Sequence, residues 1–303
     1  MSLHPLALLV AAALAGVASP VSHASSPSRA NPASPVARPA PSRPVAPPDS
    51  LRVPILVYHN IQSAAEGKGV RSADLTMRPE VFVQQMQYLK DHQIPVVSFT
   101  ALLDALDGKR TLPPHAVVIT FDDGRVNQYQ NAFPLLKKLG FTATFFPFTH
   151  AMDRNPRYFT WAQLKEMQDA GMTIGSHTSL HVRVDKMKDA AQMHAEVTGS
   201  RTLLGEKLGA PATELFSYPF GALAAAGDSA VRAAGYRAAR AYTGGPWNSA
   251  KDRWRLKAVP MTENMKRFTE VVDPSAAPKA SHPKDAAPKG AAAKKSSPKH
   301  TAH

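Results

Sequence analysis

Between residues 51 and 272 the chain alternates short apolar runs with longer segments whose apolar residues recur at helical spacing, and few folds accept that alternation. The runs 53–58 (VPILVY), 96–99, 116–121 (AVVITF), 143–148 (ATFFPF), 173–176, 215–218 and 238–242 read as strands. A strand that is apolar along its whole length has no face for water and must be covered on both sides. The intervening segments supply the cover. Phe82, Met86 and Leu89 mark a helix over 79–91, and Phe133, Leu136 and Leu139 mark another over 127–139. Trp161, Leu164 and Met167 form a stripe over 160–170, and helices also read over 184–208 and 223–234. Gly140, Gly171, Gly209 and Gly235 stand where helices should stop. Repeated β-then-α order predicts an α/β fold of parallel strands, best matched by a distorted (β/α)7 TIM-like barrel. In such a barrel, chemistry gathers at the C-terminal ends of the strands.

The flanks follow different rules. Residues 5–18 are apolar and end among small residues, like the core of a secretory leader. A membrane span needs about 20 apolar residues, so this run is too short to be one. Ser22-His23-Ala24 offers a cleavage site, so residues 1–24 read as a signal peptide. The expectation is an exported protein, periplasmic or secreted, with no transmembrane helix in the mature chain. Residues 25–50 form a Pro-rich linker and 273–303 a disordered Lys/Ala/Pro tail, since neither holds enough large apolar residues to offset the entropy of ordering. The formal charge is +13. In an exported chain that balance favours contact of the basic tail with an anionic envelope polymer, and no nucleic acid partner is expected. The absence of cysteine excludes disulfides, thiolate nucleophiles, thiolate metal sites and a lipoprotein anchor. Any metal must sit on nitrogen and oxygen.

Four features stand at predicted strand ends. The run AVVITF leads straight into Asp122-Asp123-Gly124. Two adjacent carboxylates after a buried strand are costly to desolvate without cations or donors nearby. Taken alone, they would read as a helix cap and a turn. Strand 173–176 leads into Ser176-His177-Thr178-Ser179-Leu180-His181. On a helical turn this spacing puts both imidazoles on one side. Joined to a strand-end carboxylate, they make the three-ligand set of a catalytic metal site. His59 follows the first strand, and Phe216-Ser217-Tyr218-Pro219-Phe220-Gly221 spans the end of another. By themselves these two read as a satisfied histidine and a proline-glycine turn.

Taken together, the segments resemble the polysaccharide deacetylase family, the NodB-homology domain of carbohydrate esterase family four. Thr120-Phe121-Asp122-Asp123-Gly124 resembles its first motif and Ser176 to His181 its second, and the resemblance runs over nearly all of 51–272. It implies that Asp123, His177 and His181 bind a divalent metal, with zinc the first choice and nickel, cobalt, manganese or iron as alternatives. It implies Asp122 as general base, the Tyr218 backbone N–H as oxyanion donor and Pro219 as part of the groove wall. The late histidine that supplies the general acid in most of the family is missing, because no histidine lies between His194 and His282. The segment Ile55 to Ile61 resembles the poly-β-1,6-N-acetylglucosamine deacetylase subgroup, in which a histidine on the first strand, here His59, takes that role. Ser217 stands where the family has an arginine that orients the base, so Arg255 or Lys257 is expected to substitute. Trp254 would line the groove or pack in the core. The implied reaction is hydrolysis of N-acetyl groups on a GlcNAc-containing polysaccharide. The alternatives are a small-molecule amidohydrolase on the same fold or a non-catalytic carbohydrate-binding relative.

Overall fold

Seven parallel strands carry the structure, a computed structural model that describes residues 49–63, 75–273 and 275. They are β1 (Ile55–Tyr58), β2 (Val118–Asp123), β3 (Thr144–Pro147), β4 (Thr173–Ile174), β5 (Leu215–Ser217), β6 (Ala238–Gly244) and β7 (Leu256–Pro260). Their order in the sheet is β4-β3-β2-β1-β7-β6-β5, and every neighbouring pair is parallel. The two edges meet in a bridge between Ser176 and Phe216. There the Ser176 N–H donates to Leu215 and the Ser217 N–H to Ser176, each at 2.8 Å. The sheet is thereby a nearly closed, distorted (β/α)7 barrel, as the strand pattern predicts. Residues 1–48 and 276–303 lie outside the described residues, and with them the leader and nearly all of the linker and tail. Among the described residues, no helix is long and apolar enough to cross a membrane.

Two elements differ from the sequence reading. The run 96–99 does not form a strand. Val96 makes one bridge to Val117, and then the Ser98 side chain caps helix α2 (Phe99–Leu106) by accepting the Ala101 N–H. Phe99, Leu102, Leu103 and Leu106 are buried at helical spacing, so the apolar run belongs to α2. The seventh strand is β7 instead, whose LKAVP sequence is broken by Lys257 and Pro260 and so does not read as a continuous apolar run. Leu256, Ala258 and Val259 are nevertheless buried, because β7 lies between β6 and β1. That placement brings the end of β1, the first strand of the barrel, beside its last.

The helices otherwise follow their stripes. Helix α1 spans Pro79–Asp91 and buries Phe82, Met86 and Leu89. Helix α3 (Phe133–Leu139) is preceded by a π-helical turn at Gln128–Ala132, and a second π turn, Ala195–Gly199, interrupts the helix running over 190–208. Thr160 and Gln163 form a capping box on α4 (Trp161–Asp169).

Gly124, which follows β2, is held at φ +72°, and a Cβ there would lie 2.6 Å from Pro147 Cβ on β3. The positive φ and the close approach each demand glycine. Gly124→Ala should therefore lower unfolding free energy by about 2–4 kcal/mol, as read by denaturant titration.

Candidate active site

Strand β2 is buried at every position, and its last two residues are Asp122 and Asp123. Successive strand residues normally face opposite sides. Asp123 escapes that rule by taking a left-handed φ of 73°, and the two carboxylates meet different partners.

Asp123 turns to the histidines. Its Oδ1 lies 3.2 Å from His181 Nε2 and 3.8 Å from His177 Nε2. One ligand atom from each of the three residues falls within 4.8 Å of the others, a cluster that could hold one metal ion. Its Oδ2 lies 3.6 Å from Arg125 Nε. The two histidines do not lie on a helical turn. They come from an irregular loop in which Thr178 and His181 both take left-handed φ, 67° and 58°. Such a conformation is uncommon for His and unfavourable for β-branched Thr, so it needs outside support. The Thr178 hydroxyl accepts the His181 N–H at 3.0 Å. The buried Glu196 carboxylate, carried by the second π turn, accepts the Ser179 and Leu180 N–H groups at 2.9 and 2.8 Å.

The donor chemistry suits a metal. His177 Nδ1 lies 2.8 Å from the Ser217 carbonyl. A carbonyl only accepts, so Nδ1 carries the proton and Nε2 presents its lone pair to the cluster. Burial is the main reason the His177 imidazolium is pushed down to about 4, with His181 acting in the same direction against the pull of Asp122 and Asp123. The neutral ring is the form that ligates. Burial alone would raise the Asp123 carboxyl, but the His181 hydrogen bond and the charges of His59, His177 and His181 outweigh it and hold the group well below the usual carboxylate range.

Asp122 has another environment. Its Oδ1 accepts from the Arg240 guanidinium and, at 3.3 Å, from Ser217 Oγ; its Oδ2 lies 3.9 Å from His59 Nε2. Burial raises this carboxyl too, but Arg240, then His177 and His59, more than offset it and the pKa is lowered. Burial is the largest influence on His59, ahead of the carboxylates, and leaves its pKa lowered. Gln128, on the first π turn, donates from one Nε2 to the carbonyls of His59 at 2.9 Å and Asp122 at 2.5 Å, tying the ends of β1 and β2 together.

Two expected roles meet different geometry. The arginine on Asp122 is Arg240, not Arg255 or Lys257. Arg255 pairs with Asp228, and Lys257 Nζ lies 3.9 Å from Asp252. Arg240 stands directly opposite Ser217 on the neighbouring strand, so the guanidinium arrives from β6 at the place the motif would fill from β5. A fully buried arginine inside an apolar strand was the available signal, because such a charge requires a buried carboxylate. The Tyr218 N–H donates to the Arg240 carbonyl at 3.2 Å, so it is committed to the sheet and is not free for an oxyanion. Trp254 packs beside the cluster of Val184, Phe216 and Tyr218, with Arg232 over its ring at 5.4 Å. Pro219 is buried at the end of β5, and the next residue, Phe220, is half exposed with its ring 4.7 Å from His181.

A nearly closed barrel with an Asp-His-His cluster and a separately held second aspartate at its strand ends defines the structural class. Residues 109–239 match the family model described as polysaccharide deacetylase. The chain is 31% identical over 170 residues to YxkH of Bacillus subtilis, whose name carries the same family term, a match covering 56% of this chain and 57% of the relative. It is 27% identical over 136 residues to the poly-β-1,6-N-acetyl-D-glucosamine N-deacetylase of Escherichia coli (strain K12), covering 40% of this chain and 20% of that protein. The chain thus spans well under two thirds of either relative. Among solved structures, the Streptococcus pyogenes deacetylase PplD in complex with acetate superposes with a TM-score of 0.67 at 25% identity, over 74% of this chain and 99% of that one. IcaB from Ammonifex degensii gives 0.62 at 26% identity, over 73% and 95%.

The Asp122–Arg240 pair predicts a measurable coupling. Arg240→Met should cost about 3–5 kcal/mol by leaving a buried carboxylate unpaired. Asp122→Asn in that background should recover part of the loss, so the double-mutant cycle should show a clear interaction energy in denaturant titrations.

Proposed function

We propose that the chain is an exported, metal-dependent deacetylase that hydrolyses N-acetyl groups on a GlcNAc-containing polysaccharide, releasing acetate and a free amino sugar. The observation that carries this reading is the division between adjacent aspartates: Asp123 faces two imidazoles, whereas Asp122 faces an arginine, a serine and His59. Asp123, His177 and His181 would hold the ion, and their mixed N/O donor set favours zinc, with nickel, cobalt, manganese or iron also suited. Bound there, a divalent cation supplies Lewis acidity that polarises an acetamide carbonyl and acidifies water.

The remaining steps belong to side chains. Asp122 is kept ionised by Arg240, so it can accept a proton from the attacking water, as a general base must. Arg240 and Ser217 fix one of its oxygens and leave Oδ2 for that task. His59 lies on the same side as Oδ2, and its ring is backed by Tyr242 at 5.6 Å. From there it can deliver a proton to the leaving nitrogen as the C–N bond breaks, which an amine requires because its anion is a very poor leaving group. The half-exposed Phe220 and Leu180 flank the histidines and give the opening an apolar rim. Export rests on the N-terminal leader, and retention in the envelope on contact between the basic tail and anionic polymer. On this reading the folded catalytic domain spans 51–272, and both flanks are dispensable for chemistry on short oligosaccharides.

Acetate release from N-acetylglucosamine oligosaccharides tests the proposal. A chelator should abolish release and added divalent metal should restore it; turnover that survives complete metal removal would refute the metal-dependent reading. Asp122→Asn should lose turnover while still binding metal in a calorimetric titration. His59→Ala should lower kcat by about 10²–10⁴-fold on amides and less on acetate esters, whose leaving groups need less protonation.

A further inference from the structure

Asp123 offers two oxygens, and the structure gives each its own neighbours. Oδ1 is the atom near His181 Nε2, at 3.2 Å, and His177 Nε2, at 3.8 Å. Oδ2 is the atom near Arg125 Nε, at 3.6 Å. That separation makes an ion pair but is too long for a hydrogen bond. Among the described residues the Arg125 Nε is buried and has no hydrogen-bond acceptor, so the Asp123 carboxylate is what compensates its charge.

The fold holds this arginine from several sides. Arg125 forms an antiparallel bridge with Tyr158. The Val126 N–H donates to the Arg157 carbonyl at 3.0 Å, and the Phe159 N–H to the Gly124 carbonyl at 2.9 Å. These bonds pin the turn after β2 against the segment before α4, on both sides of Arg125. The guanidinium then lies over the Tyr158 ring at 4.6 Å. Phe148 packs on Tyr158 at 4.8 Å and on His181 at 5.4 Å, so one run of aromatic contacts joins the support of the arginine to a histidine of the cluster.

We propose that Arg125 is a positioning residue for Asp123: it holds Oδ2 by charge, confines metal ligation to Oδ1 and moderates the affinity of the site. The inference rests on the metal-dependent reading above. A carboxylate can bind a cation through one oxygen or through both. Binding through both would fill a coordination position that a catalytic site keeps open. Arg125 opposes it, because drawing Oδ2 away would leave a buried guanidinium unpaired. The same charge lowers affinity. Without metal, Arg125 compensates the buried carboxylate; with metal, two cations divide it between them. Loss of Arg125 therefore raises the free energy of the metal-free protein more than that of the loaded protein, and binding tightens. An ordinary outer-shell partner acts in the opposite direction, since its loss frees the ligand and weakens binding by about 10–100-fold.

Calorimetric titration of Zn2+ into the full chain and its variants tests the idea. Arg125→Met keeps an unbranched side chain over Tyr158 and removes the charge. It should bind Zn2+ about tenfold more tightly than the parent, while kcat for acetate release from a GlcNAc oligosaccharide falls about tenfold or more. Tighter metal with slower turnover is a pairing that lost packing would not produce. Co2+ gives a second readout that needs no turnover: its visible absorption weakens as coordination number rises, so the loaded Met variant should absorb less than the loaded parent. Arg125→Lys, which keeps a cation, should fall between the two in both readouts. If the Met variant does not fold, Arg125→Ala, which lets water into the space, carries the same expectations. A parent chain that binds neither ion would refute the metal-dependent reading and this inference with it. A parent that binds metal, with neutral variants that bind it no more tightly, would overturn this inference alone.

Discussion

Two adjacent carboxylates sit at the end of a strand buried on every side, and each must be compensated for the barrel to hold them. Asp122 and Asp123 both lie in a place where an uncompensated charge costs several kcal/mol. Parallel sheet leaves few donors at a strand end, so the compensation must come from side chains on neighbouring elements. Arg240 arrives from β6 and Ser217 from β5, Arg125 from the turn after β2, and His177 and His181 from the loop after β4. The near closure of the barrel follows the same need, since it is the β4–β5 seam at Ser176 and Phe216 that brings the histidine loop and Ser217 to one point.

Backbone strain gathers around this arrangement. Asp123, Thr178, His181 and Phe220 all take left-handed φ, and all four lie at or beside the cluster. Each such residue costs of order 1–3 kcal/mol and persists only where its surroundings overdetermine it. Here the supports can be named. The Thr178 hydroxyl and the Glu196 carboxylate satisfy the N–H groups of the histidine loop, and Gln128 binds the carbonyls on either side of the β1–β2 strand ends. Gln128 and Glu196 each ride on a π-helical turn, where one extra residue alters which side chains a helix presents. A turn of this kind lets a core-packing helix also reach the site.

Much of this was legible in the sequence, and the failures share a cause. Six of the seven strands show as largely apolar runs because parallel strands buried on both faces hold few polar residues, Arg240 and Ser217 among them. β7 was hidden because Lys257 and Pro260 break its run, and 96–99 misled because four apolar-leaning residues serve equally as a strand or as the approach to a capped helix. The residues of the cluster could be named in advance because chain order alone places Asp122, Asp123, His177 and His181 at strand ends. Arg240 could not, because its partner stands 118 residues earlier and only the sheet register joins them. Its presence in Ala-Ala-Arg-Ala-Tyr still carried information, since an arginine within a core strand implies a buried anion.

Register also explains how an arginine can move along the chain without leaving its post. Ser217 and Arg240 are lateral neighbours in parallel strands, so their Cα atoms are about 5 Å apart while 23 residues of sequence separate them. A long side chain on either strand reaches the same carboxylate. The shorter Ser217 then fills the space on β5 with a hydroxyl that adds a second donor, and its carbonyl fixes the tautomer of His177. One residue therefore serves both halves of the site: its side chain holds Asp122, and its backbone aims His177 at Asp123. A change of main-chain position at Ser217 would disturb both aspartates together, whereas a change at Arg240 would act first on Asp122. The two carboxylates are chemically identical and adjacent in sequence, and what separates their roles is the set of donors that the barrel seam delivers to each.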